Sequence, residues 1–354
     1  MVQSTALIAM SGGVDSSVSA YLMLQQGYPC VGAIMRLYDG SSEAGMSQNI
    51  EDARCVANRL GIPFHVLDMT GDFRTQVMDD FVRCYETGLT PNPCVQCNRC
   101  LKFGQFLDCA LALGCTHIAT GHYARITKDP VSGRYLLKKA ADLAKDQSYF
   151  LYTLTQKQLS HAIFPLGGLT KEQARQIALQ QGFVNARKQD SQDICFIPDG
   201  DYMAFLKRYT GKDYTAGDFL DLEGNVVGQH QGAVAYTLGQ RKGLGIALGE
   251  PVYVCSKDMN ANTVTVGPNE ALFHHTLLAD NWNWISIDPP EKPIAVYAKA
   301  RSRMTEQPAM VYPEENGCRR VVFDSPQRAL TPGQAVVLYD GDTVVGGGTI
   351  TEIL

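Results

Sequence analysis

Nine residues near the start of the chain, Ala9-Met10-Ser11-Gly12-Gly13-Val14-Asp15-Ser16-Ser17, restrict the folds open to it. Ahead of them the apolar run Ala6-Leu7-Ile8-Ala9 reads as a buried strand. Behind them Val18, Tyr21, Leu22 and Leu24 recur at helical spacing over 16–26, and Gly27 closes the run as a C-cap. Strand, glycine turn and helix in that order build an anion site. The glycines let backbone N–H groups close on phosphate oxygens, and the helix N-terminus adds roughly half a positive charge. Ser11, Ser16 and Ser17 add hydroxyl donors. The turn has no lysine and lacks Walker A spacing, and it lacks the Gly-x-Gly-x-x-Gly of a dinucleotide fold.

From the start to about Pro198, apolar runs alternate with amphipathic segments, the pattern of a parallel α/β sheet. Strands are expected at 30–35, 64–68 and 116–120, and helices at 50–60, 73–86, 102–113, 148–159 and 171–181. Thr90-Pro91-Asn92-Pro93 breaks the helical pattern, because proline removes a backbone donor and restricts the residue before it. Ligands collect at the carboxyl ends of parallel strands, where Ser11-Gly12-Gly13, Met35 and Gly121-His122 fall. After Pro198 glycine becomes frequent. From about Leu272 the chain is almost wholly β in character, with short strands bounded by Pro, Gly or Asp turns, which suggests a small barrel or sandwich. The expected organisation is three domains: 1–198 α/β, 199–270 β-rich and 271–354 a small β-barrel.

A length of 354 residues agrees with several domains, and 45% hydrophobic with 19% charged residues describes a soluble globular chain. No apolar run approaches the roughly 18 residues of a membrane span. No basic segment precedes the first apolar run, so a signal peptide is not expected and the cytoplasm is the expected location. A net charge of −5 argues against indiscriminate nucleic-acid binding and leaves room for a local basic face.

Eleven cysteines in a long chain of this kind point to thiol chemistry or metal binding rather than a disulfide framework. Cys30, Cys55, Cys84, Cys109 and Cys115 lie in apolar settings and read as buried small hydrophobes. Cys94-Val95-Gln96-Cys97-Asn98-Arg99-Cys100 follows the proline-broken turn, so its thiols are expected to be accessible, with a pKa lowered by Arg99 and Lys102. Its spacing suits redox exchange, metal ligation or sulfur handling, and no second Cys-x-x-Cys completes a structural zinc site. Cys195 follows the acidic run 190–193.

The glycine turn resembles the Ser-Gly-Gly-x-Asp-Ser loop of the PP-loop ATP pyrophosphatase superfamily, whose fold is adenine nucleotide alpha hydrolase-like. Six further motifs follow it in order. They are Thr90-Pro91-Asn92-Pro93 with Cys97-Asn98, Lys102-Phe103, Thr120-Gly121-His122-Tyr123, Lys145-Asp146-Gln147-Ser148-Tyr149, Asp190-Ser191 with Cys195-Phe196-Ile197, and Thr237-Leu238-Gly239-Gln240-Arg241-Lys242-Gly243. Together they resemble the tRNA-specific 2-thiouridylase family over nearly the whole chain.

The resemblance implies ATP on Ala9, Met10, Ser11, Gly12, Gly13, Val14, Asp15 and Ser16, with Met35 and Gly121 around the adenosine. It implies Mg²⁺ to offset phosphate charge, with Asp15 a participant. The wobble uridine of tRNA would be adenylated at its C2 oxygen. Sulfur would arrive on Cys195 from a sulfur-donor protein, with Cys97 as the second catalytic thiol. Asn92, Pro93, Cys94, His122, Lys145, Asp146, Gln147, Arg301, Ser302 and Gln334 match its tRNA-facing positions. Many relatives carry aspartate where this chain has Cys94, and some with the three-cysteine set bind a [4Fe-4S] cluster. Cys94, Cys97 and Cys195 are therefore also candidate cluster ligands. The persulfide and cluster routes both stay open on sequence, as does another PP-loop adenylating ligase or amidotransferase.

Overall fold

A computed structural model describes residues 4–38, 43–189 and 194–354. The Asp190-Ser191 part of the fifth motif and the acidic run 190–193 lie outside the described residues.

The first domain begins β1 (Ala6–Ala9), α1 (Val14–Gln25), β2 (Cys30–Arg36), α2 (Glu43–Leu60) and β3 (Phe64–Asp68). Three helical pieces, α3 (Thr70–Phe73), a π-helical turn Arg74–Met78 and α4 (Asp79–Glu86), form one run. A second run joins α5 (Pro93–Cys97), a longer π-helical turn Asn98–Gln105 and α6 (Phe106–Ala112). Next come β4 (His117–Ala119), the hairpin β5 (Arg125–Lys128) and β6 (Tyr135–Lys138), α7 (Gln156–His161), β7 (Ala162–Ile163) and α8 (Lys171–Gln180). The sheet order β3-β2-β1-β4-β7 is parallel throughout and changes direction between β1 and β4. Period-two alternation along β1 sends Leu7 and Ala9 into the core under the two long helical runs. Ala6 and Ile8 enter the opposite core, under α1, α2 and α8.

Four local expectations change. The second helical run starts at Pro93, not at 102, because Asn92 caps it and Pro93 suits the first helical position; the cysteines are therefore helical. The run near 73–86 starts at Thr70 and carries a π-helical turn. The helix expected at 148–159 divides into a short 3₁₀ turn, Ser148–Leu151, and α7, because Thr155 and Gln158 form a reciprocal capping box that starts a new helix. Of the five cysteines read as buried, Cys30 and Cys115 are buried, Cys84 and Cys109 are half-buried, and Cys55 faces solvent.

Helix α9 (Tyr202–Thr210), capped by Asp201 and ended by Gly211 at positive φ, leads into the second domain. There β8 (Gly217–Leu220), β9 (Val226–His230), β10 (Tyr253–Asp258) and β11 (Thr263–Gly267) form a sheet ordered β10-β11-β8-β9 over Phe219, Tyr236, Val254 and Val264. The last domain contains β12 (Phe273–Trp284), β13 (Ile294–Lys299), β14 (Gln307–Pro313), β15 (Arg319–Arg328), β16 (Ala335–Asp340) and β17 (Thr343–Ile353). Pairing of β12 with both β15 and β17 closes these six strands into an antiparallel barrel, which removes the free edges. The β5–β6 hairpin of the first domain extends onto β17 through Lys138 and Thr343. Asp342 there takes ion pairs from Arg125 (2.9 Å) and Lys138 (3.2 Å). Among the described residues no helix is long and apolar enough to cross a membrane.

Candidate active site

The glycine turn leaves β1 where the strand order reverses, the place at which open α/β sheets bind ligands. Gly12 has φ +73°, and a Cβ there would lie 2.4 Å from the Asn49 carbonyl oxygen, so only glycine fits. Ser16 is buried beneath the turn. Its hydroxyl donates to the Gly13 carbonyl (3.0 Å) and accepts the Ser11 N–H (3.1 Å). Gly121, after β4, backs onto the start of α1, since a Cβ there would sit 2.9 Å from Ser16 N. Ala9, Met10 and Val14 are buried supports of the loop, while Ser11 is exposed and Gly13 stands at the N-cap of α1. Met35 lies half-buried near the end of β2, the strand beside β1. Parallel pairing thus brings 9–16, Met35 and Gly121 to one edge of the sheet.

The thiols enter from the other helical layer. Asn92 Oδ1 accepts the Val95 N–H (3.3 Å) and starts α5, which carries Cys94 exposed and Cys97 buried, with Pro93 packed beneath. Burial pushes the Cys97 thiol above its ordinary value, and Lys102 only partly opposes this. The accessible, acidified thiol expected from sequence is therefore corrected at Cys97, because helix formation turns it into the core. Cys100 is half-buried and also raised by burial. Cys195 retains exposed surface, yet the protein crowded round its sulfur pushes it up to about 12, with further increments from Cys97 and Cys94. Phe196 anchors this segment by edge-on contacts with Phe73 and Phe81, and Tyr38 Oη donates to the Cys195 carbonyl.

Lys102 joins the two halves. Its ammonium acts on Cys97, Cys195 and His122 together. His122 is fully enclosed, with Nδ1 2.7 Å from Thr120 Oγ1, and burial followed by Lys102 holds its pKa well below 6.5, so the ring is neutral. All eleven cysteines are free thiols. Among the described residues no group of three His, Cys, Asp or Glu side chains is placed to hold a metal ion. Cys94, Cys97 and Cys195 influence one another without forming such a set.

Several residues expected to face tRNA hold bonds within the scaffold. Asp146 accepts from Ala140 N–H (3.0 Å) and the Ser148 hydroxyl (2.7 Å), and Gln147 Oε1 accepts the Tyr123 N–H (2.9 Å). Lys145 is half-buried in the same turn. Arg301, with Ser302 beside it, donates to the Ala329 carbonyl and to Thr331 Oγ1 (3.0 Å). Gln334 donates to the Thr90 (2.9 Å) and Pro91 (3.2 Å) carbonyls.

Sequence comparisons agree along the whole chain. A family profile described as tRNA methyl transferase HUP domain matches residues 4–199, a tRNA methyl transferase PRC-barrel domain matches 203–268, and an aminomethyltransferase beta-barrel domain matches 274–350. A tRNA-specific 2-thiouridylase MnmA of Acetivibrio thermocellus is 49% identical across 99% of this chain and 100% of its own. The chain belongs to this family. Relatives of the same name from Heliobacterium modesticaldum and Clostridioides difficile are 48% and 47% identical, covering 100% and 98% of this chain and 94% and 98% of theirs. Among solved structures, a 4-thiouridine synthetase–RNA complex with bound ATP aligns with a TM-score of 0.36 at 16% identity, over 58% of this chain and 50% of that one. That likeness is too slight to argue from.

Three side chains of this family member's loop were not foreseen. Lys171 Nζ, nearly buried at the start of α8, lies 2.8 Å from each Asp15 carboxylate oxygen, and Tyr123 Oη donates to the same carboxylate (2.9 Å). Asn185 donates to the Gly12 carbonyl (3.0 Å) and to Ser17 Oγ (2.9 Å). Lys188 Nζ donates to Gly12 O (3.2 Å), Asn49 (2.7 Å) and Asp52 (2.6 Å). The one local hint was a capping box at Thr170, which fixes where α8 and hence Lys171 begin.

Proposed function

We propose that this chain uses ATP to replace the C2 oxygen of the wobble uridine of tRNA with sulfur. The observation that carries the reading is Lys102, whose charge reaches both thiols and His122, which follows the Gly121 that backs the nucleotide loop. On this reading adenylation and sulfur transfer share one site. In the first step the uridine C2 oxygen attacks the α-phosphorus of ATP held by residues 9–16, and pyrophosphate leaves. In the second, the terminal sulfur of a Cys195 persulfide attacks C2 and AMP leaves. The Cys97 thiolate then attacks Cys195 Sγ, which releases 2-thiouridine and forms a Cys97–Cys195 disulfide. An external thiol reductant restores both thiols, and a persulfide-bearing donor protein reloads Cys195.

Mg²⁺ would arrive on the ATP phosphates and offset their charge. Asp15 already answers an ammonium and a phenol, so we give it the role of holding the loop rather than of a metal ligand. No step is routed through an iron–sulfur cluster, because Cys94, Cys97 and Cys195 do not stand as a three-ligand group. Asn92, Pro93 and Cys94 flank the target base, and His122, neutral, offers it a hydrogen bond. Residues 1–198 carry the chemistry, while 199–270 and 271–354, including Arg301 and Ser302, grip the anticodon arm.

The test supplies tRNA, ATP and a persulfide donor and measures 2-thiouridine and pyrophosphate. Cys97→Ala and Cys195→Ala are each expected to abolish 2-thiouridine while tRNA-dependent pyrophosphate release continues. Undiminished 2-thiouridine from either variant sinks the thiol roles, and a wild type that makes no 2-thiouridine, as expected of an adenylating ligase of this fold, sinks the proposal.

A further inference from the structure

The turn before the cysteine helix cannot hold itself. Pro91 and Pro93 have no backbone N–H to donate, and while the Asn92 carbonyl is taken up by Val95 and Gln96, the Thr90 N–H and the Thr90 and Pro91 carbonyls find their partners outside the turn. The barrel provides these partners from one turn. The Pro332 carbonyl accepts the Thr90 N–H (3.0 Å), and the Gln334 side-chain amide donates to the Thr90 and Pro91 carbonyls at 2.9 and 3.2 Å. Gly333 lies between them with φ +89°, and a Cβ there would be 2.9 Å from both Thr90 N and Thr90 O. Arg301 props the turn from behind through Ala329 O and Thr331 Oγ1, and Gln334 itself is tied into β17 by the Ile350 N–H (2.8 Å to its carbonyl). Immediately after Pro91 stands Asn92, the cap of the helix that carries Cys94 and Cys97.

We infer that Pro332-Gly333-Gln334 is a strap by which the barrel positions the thiol helix, and that Gln334 is a positioning residue for Cys97. The link to thiolation rests on the function proposed above. The strap itself is testable on the protein without tRNA or ATP.

Two variants attack it by different routes. Gln334→Glu keeps the shape but replaces the donor with an acceptor facing two carbonyls. Gly333→Ala leaves the Gln334 side chain intact and pushes the turn off Thr90. Alkylation of each cysteine is followed by mass spectrometry, with buried Cys30 and Cys115 as internal references. Loss of the strap is expected to raise the Cys97 rate about tenfold in both variants, with Cys30 and Cys115 unchanged. With tRNA, both variants are expected to lower kcat and leave the KM for tRNA unchanged. An unchanged Cys97 rate with a raised KM would make Gln334 a tRNA contact only. Equal acceleration at all three cysteines would mean global loosening. Either result overturns the positioning role, and neither bears on whether the wild type makes 2-thiouridine.

Discussion

Asp15 lies in the nucleotide loop, but its charge is already matched by Lys171, which is 9% exposed. Breaking such a pair from one side leaves the remaining charge without compensation. Asp15 keeps some solvent contact, so Lys171→Met is expected to cost about 1–3 kcal/mol rather than the fully buried figure. Asp15→Asn in the same background should restore much of it. A denaturant double-mutant cycle checks this, and simple additivity would show that the pair is uncoupled. Lys102 allows a second prediction at this scale. It holds down both the Cys97 thiol and the His122 imidazolium, so Lys102→Met must move both apparent pKa values upward. The alkylation-rate profile of Cys97 and the ring signals of His122 by NMR report the two independently. A shift in only one would mean that the ammonium is not shared.

At the scale of elements, the strand–turn–helix depends on one backbone conformation. Gly12→Ala must place a methyl 2.4 Å from the Asn49 carbonyl at φ +73°, whereas Gly27→Ala at φ +82° meets open space. Strain alone costs about 1 kcal/mol, so Gly27→Ala should lose about that much. Gly12→Ala should lose clearly more and also lose ATP binding. Thermal unfolding and nucleotide titration of the two variants side by side decide it. This element was readable in the sequence because its determinants are local: four apolar residues, two glycines and a helical repeat. Cys97 was not, because the same four residues Thr90-Pro91-Asn92-Pro93 that break a helix also start one. Only Asn92 accepting the Val95 N–H settles which occurs. Lys171, Asn185 and Lys188 were beyond reach for a different reason. Their partners are 156, 173 and 176 residues away, and no local pattern encodes a contact that exists only after α8 packs on α1.

Across the whole molecule, stability should depend on pH in two separate windows. His122, His117 and His230 all have pKa values below the ordinary 6.5, each chiefly through burial. The unfolded chain therefore binds protons that the folded one refuses. These groups destabilise nothing above pH 6.5, and they withdraw stability as pH falls from there toward their folded values. Each contributes at most about 1.4 kcal/mol per pH unit in its window. Asp52 is held below its ordinary 3.8 because hydrogen bonds from Lys188 and Gln48 outweigh its burial, and Asp342 is held down in the same way by Lys138 and Arg125. Their stability is fully present above 3.8 and is lost only as pH falls below it. The slope between pH 6.5 and 5 is therefore expected to come chiefly from the histidines, with fully enclosed His122 the main contributor. His122→Asn removes that proton site, and its denaturation midpoint should change visibly less than wild type between pH 7 and 5. The loss that Asp52 and Asp342 bring below pH 3.8 should be common to the two proteins. Parallel curves throughout the upper window would mean that the His122 ring takes up its proton as readily in the folded protein as in the unfolded chain, and the lowering of its pKa by burial would fail.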